Sequence, residues 1–263
     1  MDESLLPSNP YNYLKGWYCF HQMYQDHPLC KCPDSNTTIW RYLDELKFYS
    51  LLEKDALFFA KARYLNDPFE GRYPPTYPRH EGASFNRGSF NQMGFNQGAN
   101  YLPDSFKDST YICCFTMNKS ENYAMWKSYL LEKEGVAIQS TLKQLQESFE
   151  DTDEETISIG MVNYYDSGKN FNGGSNAFTL FLQKRVLFNN ENELRAIMIN
   201  KSSRREITEK GIFIPVKIGK LINKVVLSPH SSEAFEKRII MLCAQKGLGN
   251  IVYRSKLEEV PKW

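Results

Sequence analysis

The segment Asn190-Glu-Asn-Glu-Leu-Arg-Ala-Ile-Met-Ile199 constrains the fold of this chain more than any other. Alternate residues of an extended chain share a face, so Leu194, Ala196 and Met198 fall on one side and Ile197 and Ile199 on the other. Such a strand is buried on both faces. It begins with two acids, so its front end is expected to emerge into a cleft or solvent. The same alternation puts Glu191, Glu193 and Arg195 together on one face.

The rest of the chain supplies short elements in irregular order. Thr38–Tyr42, Ala56–Ala60, Ser109–Thr116, Val136–Gln139, Ile157–Tyr165, Gly211–Val216, Ile222–Leu227 and Ile251–Arg254 read as strands from their β-branched and aromatic content. Helical spacing covers Asp44–Leu52, Asn118–Leu131 with Ser120 as N-cap, Thr141–Phe149, Asn176–Leu187 and Ser232–Gln245. No regular βαβ rhythm appears, so the expected class is α+β rather than a doubly wound sheet. The expected layout is an N-terminal elaboration over 1–36 and a single domain over 37–263. Leu65-Asn-Asp-Pro-Phe-Glu70 is a turn, because proline pushes the preceding Asp out of the helical region. A flexible loop over 71–108 follows, with a Phe-Asn quasi-repeat at Phe85, Phe90 and Phe95, read as a flap over a cleft.

Composition removes several function classes. With 32 basic and 31 acidic residues the net charge is +1, so no global field draws the protein to nucleic acid or membrane. No apolar run approaches a membrane span and no leader-like start is present, which leads to an expectation of a cytoplasmic protein. The six cysteines are irregularly spaced. Cys30 and Cys32 lie near His21 and His27, but no second pair completes a zinc knuckle, so idle thiols are expected and no metal is assigned. No G-x-G-x-x-G or G-K-[ST] phosphate loop occurs.

Two further residues join the acids as candidates. Arg41 lies inside an aromatic strand between Trp40 and Tyr42, where a guanidinium needs an anionic partner or ligand. Thr116 ends a buried strand, where its hydroxyl is placed to donate and accept in a pocket. Trp40-Arg-Tyr42, Leu65–Glu70, Cys114-Phe-Thr116, Met125-Trp-x-x-Tyr129 and Lys184 with Glu191-x-Glu-x-Arg195 resemble an uncharacterised bacterial family over about Thr38 to Leu257. The order Arg, hydroxyl on a strand, then Glu-x-Glu resembles the arginine, serine and glutamate pattern of ADP-ribosyltransferases. A full Ser-Thr-Ser motif is missing, and only Thr116 keeps a hydroxyl at that place.

That resemblance implies a mixed or antiparallel split sheet with flanking helices and NAD as substrate. Glu193 would stabilise the ribose cation and Glu191 would orient or deprotonate the acceptor. Arg41, with Tyr42 beside it, would hold the NAD phosphate, Thr116 would brace Glu193 or the ribose, and Trp126 or Tyr129 would stack on nicotinamide. It further implies a toxin or antiphage effector, with RNA or protein as acceptor and a cognate antitoxin as partner. The basic run Lys201–Arg205 is one place for a phosphate backbone. Two alternatives stand beside it: a metal-dependent nuclease or hydrolase using Asp67, Glu70, Glu191 and Glu193, and a non-enzymatic module whose aromatic groove binds a peptide or single strand.

Overall fold

Strand β3 (Thr110–Met117) organises the protein, because its two edges are used differently. In the computed structural model, which describes residues 30–72, 104–130, 134–149, 156–166, 177–199 and 208–258, one edge pairs along its length with β8 (Glu193–Ile199), from Thr110↔Ile199 to Thr116↔Glu193. The other edge is shared. Strand β1 (Thr38–Asp44) takes only Thr116 and Met117, and β2 (Ala56–Lys61) takes only Tyr111 and Ile112. Between those patches the sheet forks.

Each arm of the fork continues outward. Strand β1 pairs over its whole length with β4 (Gly135–Thr141), then β10 (Lys224–Leu227) and the parallel β11 (Val252–Arg254) follow. Strand β2 pairs with β9 (Gly211–Pro215), and β5 (Ile157–Met161) lies beyond β8. The other pairings of this nine-stranded sheet are antiparallel. A separate parallel pair joins β6 (Asn163–Tyr165) to β7 (Gln183–Arg185). The class is mixed α and β, with both parallel and antiparallel pairing.

The helices close the faces. Helix α1 (Glu45–Lys54) starts where the Asp44 carboxylate accepts from the Lys47 amide at 2.8 Å. It ends at Asp55 in the left-handed region and buries Phe48, Leu51 and Leu52. Helix α2 (Asp104–Ser109) occupies the end of the stretch expected as a loop, and residues 73–103, with the Phe-Asn repeat, lie outside the described residues. Helix α3 (Tyr123–Leu130) begins after Asn122, whose carbonyl side chain accepts from the Ala124 amide at 2.9 Å. Asn122 therefore caps it, and the expected cap Ser120 does not. Helices α4 (Leu142–Ser148), α5 (Ala177–Leu180), α6 (Ile218–Leu221) and α7 (Glu233–Gln245) are the other α-helices among the described residues, with Thr141 and Ser232 capping α4 and α7.

Two expectations over the middle of the chain are corrected. Helix α5 is a single turn rather than a helix over Asn176–Leu187, since the chain then enters β7 and a 3-10 turn over Val186–Glu191. The expected strand Ile157–Tyr165 breaks at Val162, where the chain leaves β8 to pair with β7. The expected N-terminal elaboration is described from Cys30 onward. There the amide of Met161 donates to Lys31 and that of Lys143 to Ser35, so these residues lie along β5 and the start of α4.

Burial follows from this layout. One sheet face carries the main core, including Ile39, Phe48, Cys113, Phe115, Ile138, Leu194, Ala196 and Phe235. Among the described residues the opposite face is covered in two separate places. Ile112 and Ile197 pack under Leu180, Phe181 and Leu182, while Trp40 and Tyr42 pack under Met125, Trp126 and Leu130. The strip between those covers lies over the fork.

Candidate active site

A cavity of about 530 Å³ fills that strip and passes into the fork. This volume is in the range of small-molecule sites. Arg41, Tyr42, Thr116, Tyr129, Glu191 and Glu193 all contribute to its wall, with Phe58, Tyr64 and Phe213 on the β2 side. Residues 75 or more positions apart in sequence thus reach one space because β1 and β2 compete for one edge of β3.

Arg41 occupies the fork itself. Its Nη1 donates to the Cys114 carbonyl at 2.9 Å and to Cys113 Sγ at 2.6 Å, and its Nη2 donates to the Phe58 carbonyl at 3.2 Å. The guanidinium replaces strand pairing that β1 and β2 do not supply, and it lies over the Phe115 ring. Its charge meets no carboxylate among the described residues. A half-buried cation with only neutral acceptors favours an anionic ligand.

The acids approach from the other side. Glu191 is not on β8, as the alternation reading has it, but is the last residue of the Val186–Glu191 turn. Asn192 follows in the left-handed region (φ 41°) and turns the chain into β8. Its amide side chain donates to the Met117 carbonyl and its own carbonyl accepts from Met117, which pins the turn to β3. The two glutamates still meet, through a cation rather than a shared strand face. Lys184 Nζ donates to Glu191 Oε2 at 2.7 Å and to Glu193 Oε1 at 2.5 Å.

Glu193 is held on both oxygens. Arg195 Nε donates to Oε2 at 2.7 Å, and the same guanidinium grips Glu70 with two bonds of 2.8 and 2.7 Å. Burial pushes the Glu193 carboxyl up, but Arg195 and Lys184 outweigh it and hold it well below the usual carboxylate range. Glu191 goes the other way. Burial and the adjacent Glu193 push it up to about 7, against the pull of Lys184. Glu70, Arg195, Glu193, Lys184 and Glu191 form one ladder of alternating sign, with three acids against two bases.

Other expected site residues have different work. The Thr116 hydroxyl donates to the Glu191 backbone carbonyl at 2.5 Å and accepts from Asn118 at 3.0 Å, so it braces the Glu191 turn instead of the Glu193 carboxylate. The Tyr42 hydroxyl accepts from the Asn122 amide at 2.8 Å and fixes the start of α3. Trp126 does not reach the cavity. It is buried edge-on against Tyr42, its indole donating to Glu121 at 2.8 Å. Tyr129 is 45% exposed and stacks on Tyr42 at the cavity rim.

The acids of the Leu65–Glu70 turn are occupied too. Asp67 accepts from Arg185 and from the Phe69 amide, while Arg195 stands between Glu70 and Glu193. The set Asp67, Glu70, Glu191 and Glu193 is thus interleaved with bases instead of converging on one point, and it does not form a metal shell. Cys32 Sγ donates to the Ile159 carbonyl at 3.0 Å, and His21 and His27 lie outside the described residues. Sequence reasoning gave Lys184 no role; the only signal was a lysine seven residues before the first acid of Glu-x-Glu.

No helix among the described residues is long and apolar enough to cross a membrane. No family model, curated protein or solved structure matches the chain.

Proposed function

We propose that this protein cleaves the nicotinamide–ribose bond of NAD and transfers ADP-ribose to a macromolecular acceptor, RNA or protein. The observation that carries the reading is the forked sheet, which brings a cation lacking a carboxylate, Arg41, and a net-acidic cluster, Glu191 with Glu193, to one aromatic-lined cavity. A split sheet of the ADP-ribosyltransferase type belongs to the same proposal.

The charges suit the two ends of such a substrate. Arg41 is placed for the pyrophosphate, where a planar guanidinium gives paired hydrogen bonds. Breaking the glycosidic bond sends its electron pair to the nicotinamide nitrogen and leaves positive charge on the ribose. The ladder carries one formal negative charge in excess when fully ionised, and that excess faces the cavity at Glu191. An acceptor oxygen or nitrogen then bonds to the ribose carbon and releases its proton to the Glu191 carboxylate. A carboxyl near neutrality is matched to that transfer at physiological pH. Glu193, saturated by Lys184 and Arg195, fixes the cluster and contributes charge rather than moving a proton.

The test is NAD consumption by the full chain with cell lysate and labelled NAD, in EDTA. Label on a macromolecule, sensitive to nuclease or to protease and lost in Glu191→Gln, supports the reading. Activity that requires Mg²⁺ and ignores NAD rejects it in favour of a hydrolase. A protein that binds ADP-ribose yet never releases nicotinamide rejects it in favour of a binding module.

A further inference from the structure

Lys184 belongs to β7, outside the main sheet, and the fold drives its side chain into the acid cluster. The backbone is fixed by the register Tyr164↔Lys184. The ammonium is buried, sits 4.8 Å from the Phe188 ring centre, and reaches both glutamates. The two acids depend on it unequally. Glu193 has a second cation in Arg195, whereas Lys184 is the ion-pair partner of Glu191 among the described residues. Both acids line the cavity, and Glu191 is the more open of the two, its side chain 22% exposed against 4% for Glu193.

We propose that Lys184 is the positioning residue of this site: its ammonium, bonded to both glutamates, aims the Glu191 carboxylate at the cavity and weakens its hold on a proton. The role in turnover rests on the NAD reading; the hold on the carboxyl does not. An ammonium has three donors and no preferred plane, so one lysine can bond two carboxylates at once.

Every packed element contributes to the balance at Glu191. Strand β8 brings Glu193 and Arg195, β3 brings Cys114 and the Thr116 hydroxyl, and β6 brings Tyr164, whose hydroxyl accepts from the Glu193 amide at 2.9 Å. Across the cavity stand Tyr129 of α3 and Arg41 of β1. Tyr164, Tyr129 and Cys114 stay neutral near pH 7, so they add no opposing charge. Burial and Glu193 favour a protonated Glu191, and Lys184 is the nearest group working against them. Without it the carboxyl holds its proton more tightly and loses its aim.

The experiment follows the Glu191 carboxyl directly, by NMR of the full chain labelled with ¹³C at glutamate carboxyls, with Glu191→Gln giving the assignment. Lys184→Met is expected to raise the Glu191 midpoint by about one unit or more, as loss of an adjacent opposite charge does. Lys184→Arg, which keeps the charge, removes most of that shift. The rising limb of NAD turnover against pH moves upward with the midpoint, which a purely structural lysine would not produce. An unmoved midpoint in folded Lys184→Met overturns the proposal. If Lys184→Met does not fold, Lys184→Gln, which removes the charge and keeps a hydrogen-bonding side chain, decides by the same reading, and an unmoved midpoint overturns the proposal. If the midpoints move as stated but the wild type consumes no NAD, the hold on Glu191 stands and the NAD reading falls.

Discussion

Arg195 and Glu70, 125 positions apart in the chain, meet in the interior through two parallel hydrogen bonds of 2.8 and 2.7 Å. The Leu65–Glu70 turn is thereby tied to the strand that carries Glu193. Removing one member of a buried ion pair leaves the other without its match, at a cost of about 3–5 kcal/mol. Glu70→Ala is expected to lose roughly that much in urea unfolding. Because Arg195 keeps Glu193 as a partner, the loss should sit at the low end of that range.

The pH dependence of stability separates the two glutamates. Glu191 has a folded pKa raised from 4.5 to about 7, so the folded state holds a proton that the unfolded chain gives up. Stability from this group is complete below about pH 4.5 and is lost as pH rises through 7. Glu193, held below its usual range, contributes in the opposite sense: its share is present above about pH 4.5 and falls away in acid. Glu191→Gln should therefore flatten the decline between about pH 4.5 and 7 while leaving the acid limb in place. Melting temperatures of both proteins across that range provide the measurement.

Arg41 is expected to govern anion affinity. Hydrogen bonds to charged groups contribute about 1.5–3 kcal/mol, so Arg41→Met should weaken ADP-ribose binding by roughly 10- to 100-fold in calorimetry. Arg41→Lys should recover only part of this, because an ammonium cannot reach Cys114, Phe58 and a ligand from one plane.

Trp126 and Tyr129 lie on one helix and should behave differently. Trp126 is core, with its indole on Glu121, so Trp126→Ala should cost about 3–5 kcal/mol of stability. Tyr129→Ala gives up a partly exposed ring stack, at a cost of about 1 kcal/mol, and should weaken ligand binding roughly tenfold. Chemical unfolding and ligand titration on the two variants test the contrast.

Much of the framework is legible in the sequence, because β1, β3 and β8 carry strong apolar patterns and Ser232 marks the start of α7. The candidate residues Arg41, Thr116, Glu191 and Glu193 can be read in the same way, since each interrupts such a pattern. Their roles cannot. Helical spacing over Asn176–Leu187 is overridden because Lys184 and Arg185 are drawn to Glu193 and Asp67, contacts invisible to local periodicity. Glu191 leaves the strand because Asn192 adopts a left-handed turn, which no alternation rule anticipates. Asp67 and Glu70 look like free acids in a turn until Arg185 and Arg195 arrive from more than a hundred residues away.

The fork has a consequence for how this protein can change. Its cavity exists where β1 and β2 each stop short of full pairing with β3, so the room for a ligand and the completeness of the sheet draw on the same backbone. Substitutions that let either arm zip further along Cys113–Phe115 would be rewarded in any screen for thermal resistance, and each would narrow the site. The completeness of the sheet and the volume of the cavity are set against each other at this seam. A thermostabilised descendant that keeps its cavity should carry its changes elsewhere.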